Sequence, residues 1–139
     1  MQRTFQEVAN HYYYTMQVKI DTRERFHVIT VREGTLSANM TELLENKLSA
    51  SLSEDVKNVV LNLKDIHSID NAAATLLITL QKRFHEQKAS FIICCMQPEV
   101  SRQLSADGLL EQLNTTPTES EAGEIILMEE IERELDGYE

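Results

Sequence analysis

The chain has no tryptophan, two prolines, two cysteines and four glycines in 139 residues, and each scarcity removes a class of protein. Four glycines without clustering leave neither a P-loop nor a dinucleotide-binding fingerprint, because both need closely spaced glycines to bring backbone amides against phosphate. Cys94 and Cys95 adjoin in a strand-like run. Neighbouring strand side chains point to opposite faces, so a bond between them would need strained geometry. They are expected to be buried, reduced thiols, and no further cysteine completes a metal site. His11, His27, His67 and His85 are scattered without paired ligand spacing. No apolar run approaches the ~20 residues that span a bilayer, and the first residues lack a signal peptide's apolar segment. The expectation is a cytoplasmic location with no direct membrane insertion.

Positive charge is the other shortage: 13 Lys and Arg face 23 Asp and Glu, a net charge of −10. The imbalance is local. Residues 119–139 hold nine acids and one base, Arg133, while the rest of the chain carries 14 acids and 12 bases. The acidic segment reads as a solvated helix face, and it argues against nucleic acid as a partner, since phosphate binding runs on Lys and Arg. What remains is an ordinary core-forming composition, 42% hydrophobic and of a length suited to one domain.

The richest stretch is 58–80, NVVLNLKDIHSIDNAAATLLITL. Val59, Val60, Leu61, Asn62 and Leu63 form a β-rich run too short for a helix. Asp70 is placed as an N-cap, able to accept from the free amides of a first turn and to meet the positive end of the helix dipole. Ala73, Leu76, Leu77, Leu80 and Phe84 follow at the spacing of a buried helical face. A second stripe of Ala72, Thr75, Thr79, Arg83 and Glu86 points elsewhere, with Ala74 and Ile78 beside it. The turn of Asn71, Ala72, Ala73 and Ala74 admits two readings. Its amides are open to an approaching anion or partner side chain, or alanine is there because it forms helix and packs under a loop.

Around this centre, 16–20 and 26–31 read as strands of a hairpin, with His11, Tyr12, Tyr13 and Tyr14 preceding them as a strand or an edge cover. Gly34 breaks the pattern. Asn39 or Thr41 is placed to cap a helix containing Leu43, Leu44, Leu48 and Leu52. A strand at 90–96 leads to Pro98, which suits the first turn of a helix with Val100, Leu104 and Ala106 inward and a positive-φ stop at Gly108. A short strand follows near 113–116. A last helix over 121–135 has Leu127, Met128, Ile131 and Leu135 as its seam. The order β-β-α-β-α-β-α-β-α implies an α/β fold with parallel strand pairs, right-handed crossovers and packed helices.

Catalysis is not written in this pattern. His67, Ser68 and Asp70 make a Ser-His-Asp trio without the glycine elbow that would expose a nucleophile. No cofactor is implied.

Three segments in order resemble the STAS domains, the group of bacterial anti-sigma factor antagonists (anti-anti-sigma factors) and their relatives. Gly34, Thr35, Leu36 and Ser37 resemble the family's Gly-x-Leu-Asp segment. The strand at 59–63 with Ile69 and Asp70 resembles the approach to its Asp-Ser-Ser-Gly-Leu signature. Residues 98–104 with Gly108 and Leu109 resemble the third helix and its Gly-Leu stop. The resemblance runs from Met16 to Leu135, leaving 1–15 as an N-terminal extension and 16–139 as a STAS-like domain. It implies a mixed sheet of about five strands with four helices.

This resemblance places Asn71 and Ala72 where the family has two hydroxyl residues, the second being the one phosphorylated by a partner kinase. Ala72 has no oxygen to phosphorylate. Ala73 stands for the glycine, and Ser37 and Asn62 stand at two further acidic positions. The implied function is a non-enzymatic, protein-binding regulator. It would dock its second helix, through Ser37, Asn39, Asp70, Asn71, Ala72, Thr75, Thr79 and an apolar anchor at Ile78, on an anti-sigma factor or serine-kinase-like protein. It would bind constitutively or be regulated elsewhere, with Ser68 and Thr75 as substitute phosphorylation sites. The rival readings are a STAS subunit of an ABC-type lipid transporter meeting its ATPase, and a nucleotide-binding module using the amides of Asn71, Ala72 and Ala73.

Overall fold

The computed structural model describes residues 16–137. The expected extension at 1–15, with His11 and the three tyrosines, lies outside the described residues. Strands β1 (Val18–Thr22) and β2 (Phe26–Val31) form the expected antiparallel hairpin, with Val18 opposite Val31 and Thr22 opposite His27. The Arg23 amide donates to the Phe26 carbonyl at 2.8 Å to close it. A short strand β3 (Thr35–Leu36) leads through a 3-10 turn, Ala38–Met40, into helix α1 (Thr41–Ser49). Neither Asn39 nor Thr41 caps α1 as expected: its N-cap is Met40, without a side-chain bond, because the 3-10 turn already runs into it. The Thr41 hydroxyl donates back to the Ala38 carbonyl at 2.9 Å.

Strand β4 (Asn58–Asn62), the short β5 (Ser68–Ile69) and helix α2 (Asn71–Glu86) follow. Then come β6 (Phe91–Cys94), α3 (Pro98–Ala106), β7 (Thr115–Thr116) and α4 (Glu119–Asp136). The main sheet runs β1-β2-β4-β6-β7, antiparallel at β1–β2 and parallel elsewhere, while β3 and β5 pair separately in parallel. The expected five-strand, four-helix α/β architecture is present. Gly108 adopts φ +71° after α3, the expected stop.

β4 is central and buried on both faces, which explains its consecutive apolar residues Val59, Val60 and Leu61. On one face Val59 and Leu61 join Ile29, Val31, Phe91 and Ile93 under α1, α2 and α3, contributing Leu44, Leu48, Leu77, Leu80, Phe84, Val100 and Leu104. Ala106, expected inward, is exposed at the end of α3. On the other face Val28, Val60, Ile92 and Cys94 meet α4 alone.

α4 corrects the expected seam. Leu127, Met128, Ile131 and Leu135 are 42%, 60%, 48% and 62% exposed. The buried row is Ala122 and Ile126. Small residues decide this: a Cβ on Gly123 would lie 3.2 Å from the Phe26 ring, so glycine lets the helix approach β2 closely. Below Ile126 the same row continues with Glu129, whose carboxylate accepts from the Ser90 hydroxyl at 2.5 Å, and Arg133, which donates to that oxygen at 3.2 Å.

Candidate functional site: the Asp70 junction

Asp70 leaves the β5 strand in extended backbone (φ −88°, ψ 167°) and caps α2 as expected. One carboxylate oxygen, Oδ1, accepts from the Ala73 amide at 3.0 Å. The other, Oδ2, accepts from the Ala38 amide at 2.6 Å. A single side chain therefore satisfies an orphan donor of a helix and ties it to the turn after β3. The β ladder supports the same junction: the Gly34 carbonyl accepts from the His67 amide at 2.7 Å, and the Leu36 carbonyl from the Asp70 amide at 3.0 Å. The hydroxyls of Thr35 and Ser68 meet at 2.9 Å. Leu36 and Ile69 plug the underside, both essentially fully buried.

This arrangement brings Ala38, Asn39, Asn71 and Ala72 to one exposed end of the domain, with Ser37 and Asp70 partly buried among them. Thr75 and Thr79 continue outward along α2, one and two turns on, and both are exposed. The Thr79 hydroxyl donates to the Thr75 carbonyl at 3.1 Å, which leaves a short, mostly uncharged stripe. Ile78 does not belong to it. It is 7% exposed and packs in the core, as does Ala74, because α1 lies beside α2 and widens the buried arc of that helix. Arg83, at the far end of the stripe, is likewise held by α1, pairing with Glu45 at 3.0 Å. Sequence reasoning missed Ala38, whose amide carries no side-chain signal; its partner Asp70 was legible.

The chemistry of the site is that of a surface. His67, Ser68 and Asp70 diverge: His67 Nδ1 meets Glu99 at 2.8 Å, Ser68 meets Thr35, and Asp70 meets two amides. No proton path links them. The hydrogen bond from His67 holds the Glu99 carboxyl below its ordinary range. For a bound phosphate the amide account is poor: the Ala73 amide is occupied by Asp70, and the Asp70 carboxylate would face the anion. Among the described residues no three His, Cys, Asp or Glu side chains gather to hold a metal. Burial, then the neighbouring Cys95 thiol, pushes the Cys94 thiol far above its usual range. Cys95, expected to be buried, is only half-buried and turns off the end of the strand at φ +62°, in the left-handed region that non-glycine residues seldom adopt. No helix among the described residues is long and apolar enough to cross a membrane.

The chain belongs to the STAS domain family, whose model matches residues 17–122. Solved structures share the fold. An anti-sigma factor antagonist from Mycobacterium paratuberculosis is 15% identical at a TM-score of 0.68, over 81% of this chain and 94% of that one. The anti-sigma factor antagonist SpoIIAA, solved in its unphosphorylated form, is 22% identical at 0.60, over 78% and 92%. Part of the murine Solute Carrier 26 family member A9 anion transporter is 14% identical at 0.63, over 78% of this chain and 18% of the transporter.

Proposed function

We propose that this STAS domain is a non-enzymatic regulator that binds a protein partner through the Asp70 junction, and that the partner is an anti-sigma factor or serine-kinase-like protein. The observation that carries the reading is the double use of Asp70. By tying Ala38 to Ala73, it holds the turn with Ser37 and Asn39 beside the first turns of α2. A rigid, preorganised surface loses little freedom on binding. Asn71, Ala72, Thr75 and Thr79 are the exposed contacts of that helix, and Ile78 serves beneath them as packing.

Ala72 stands where the family resemblance places the phospho-acceptor. A phosphate there would bring about −1.5 to −2 charges to the contact face, repelling an acidic partner surface and costing desolvation against an apolar one. With alanine that position stays unmodified, so binding is constitutive or is regulated elsewhere, for which the exposed hydroxyls of Ser68 and Thr75 are the substitutes. The rival reading is a subunit of an ABC-type lipid transporter meeting its ATPase; the occurrence of this fold within an anion-transporter chain gives it a transport setting but no ATPase.

Affinity purification of the full chain from its native host, with mass spectrometry of what is retained, identifies the partner. Thr75→Glu and Ala72→Glu should then reduce capture at least ~10-fold, the scale of a misplaced charge in an interface core. Retention unchanged by both variants defeats the reading. Capture of a kinase-like or anti-sigma protein supports it, and capture of a transporter ATPase replaces it with its rival.

A further inference from the structure

The outer face of α4 is unused by the fold and by the Asp70 junction. Leu127, Ile131 and Leu135 repeat at four-residue spacing, and Met128 lies beside them, so they form one apolar stripe over about two turns, roughly 12 Å long. All four are about half exposed or more. Glu121, Glu124, Glu132 and Glu134, all exposed, stand at the ends and sides of the stripe. The helix has one base, Arg133, and it is turned inward to Ser90. Glu130 is paired with Arg25 at 3.2 Å, but no ion pair among the described residues reaches Glu121, Glu124, Glu132 or Glu134.

We infer that this stripe is a second docking surface, and that its occupant is a cationic amphipathic helix, apolar along one face with Lys or Arg on its borders. Charge complementarity selects that occupant. A second copy of this chain would set acid against acid along the whole contact. An anionic lipid surface would repel the same borders, whereas interfacial helices carry Lys and Arg there. The acids are also placed against the helix's own interest. Glu132, Glu134 and Asp136 sit in its last turns, where the macrodipole favours cations, and Glu132 and Asp136 are a like-charged pair one turn apart. A cationic partner relieves both. The apolar stripe supplies affinity and the acid borders supply orientation, as in helix-in-groove recognition.

The test uses the full chain and a synthetic helical peptide of four turns with a leucine stripe bordered by lysines. Its controls are a peptide of the same composition with the stripe scrambled and one with glutamate borders. Titration followed by amide NMR should shift residues of α4, centred on Met128 and Ile131, for the lysine-bordered peptide alone. Ile131→Ser should weaken binding ~10-fold, and raising salt from about 50 to 500 mM several-fold, since exposed charges are screened over a few ångströms at the higher value. These surface substitutions leave the core intact, and an unchanged amide spectrum elsewhere verifies it. Equal binding of the scrambled peptide, absence of binding, or indifference to Ile131→Ser overturns the proposal. So does dimerisation of the free chain that Ile131→Arg abolishes, which would assign the stripe to a second copy. Nuclear Overhauser contacts from the stripe to residues 1–15 would assign it to the chain's own N-terminal segment and overturn it equally.

Discussion

Replacing Asp70 tests the junction directly, because its two carboxylate oxygens have separable jobs. Asp70→Ala removes the cap bond to Ala73, worth about 1 kcal/mol for an N-cap carboxylate. It also removes a negative charge from the helix N-terminus, ~0.5 kcal/mol at a partly exposed site. The charge-assisted bond to the Ala38 amide is short but lies at the surface, where water can replace it, so it adds about 1 kcal/mol net. The expected loss is roughly 2–3 kcal/mol, which for a chain of this size lowers the melting temperature by roughly 6–12 °C. Asp70→Asn is the informative companion. Its amide oxygen still caps Ala73, while its NH2 group cannot accept from Ala38, so it should lose about 1–1.5 kcal/mol. Urea unfolding at constant slope measures both, and hydrogen exchange should show the Ala38 amide losing protection in either variant. A loss below about 0.5 kcal/mol for Asp70→Ala, or equal losses for the two variants, would refute this division of labour.

Two further measurements follow from the site. The Glu99 carboxyl, held low chiefly by His67, contributes stability above its unfolded value that is lost as pH falls through its folded one; the melting-temperature gap between the native chain and Glu99→Gln should therefore shrink as pH falls through and below the ordinary carboxylate range, and a gap that stays constant or widens across that range contradicts the pairing. The Cys94 thiol, buried and pushed up, should resist an aromatic disulfide reagent in the native state and react only in denaturant; rapid reaction of both thiols in the folded protein would rule out the burial described.

Local rules were enough for the elements that form from their own residues. Asp70 before a four-residue small-side-chain turn is a cap in sequence and in structure, because capping is a bond between residues three apart. β4 read as a strand because its β-rich run is too short for a helix, and Gly108 read as a stop because few other residues adopt its φ. The partner of Asp70's second oxygen was not legible. Ala38 is 32 residues away and offers only a backbone amide, so its role exists once β3 and β5 pair. Ile78 failed for a related reason: the spacing along α2 defines a row, but burial of that row depends on α1 lying alongside.

α4 shows the division most plainly. Its sequence holds two candidate inward rows, Leu127, Met128, Ile131 and Leu135 against Ala122 and Ile126, and hydrophobicity favours the first. Tertiary packing chose the second, since Ala122 and Gly123 permit close approach to the sheet and Phe26. The order of the main-sheet strands and helices and the cap of Asp70 on α2 were determined by the sequence itself, because each depends on residues within a turn or two of one another; the short strands β3 and β5 were not. Which helix faces turn inward, and which are left for a partner, was decided by the folded neighbours, because burial is a property of two surfaces and a sequence states only one of them at a time.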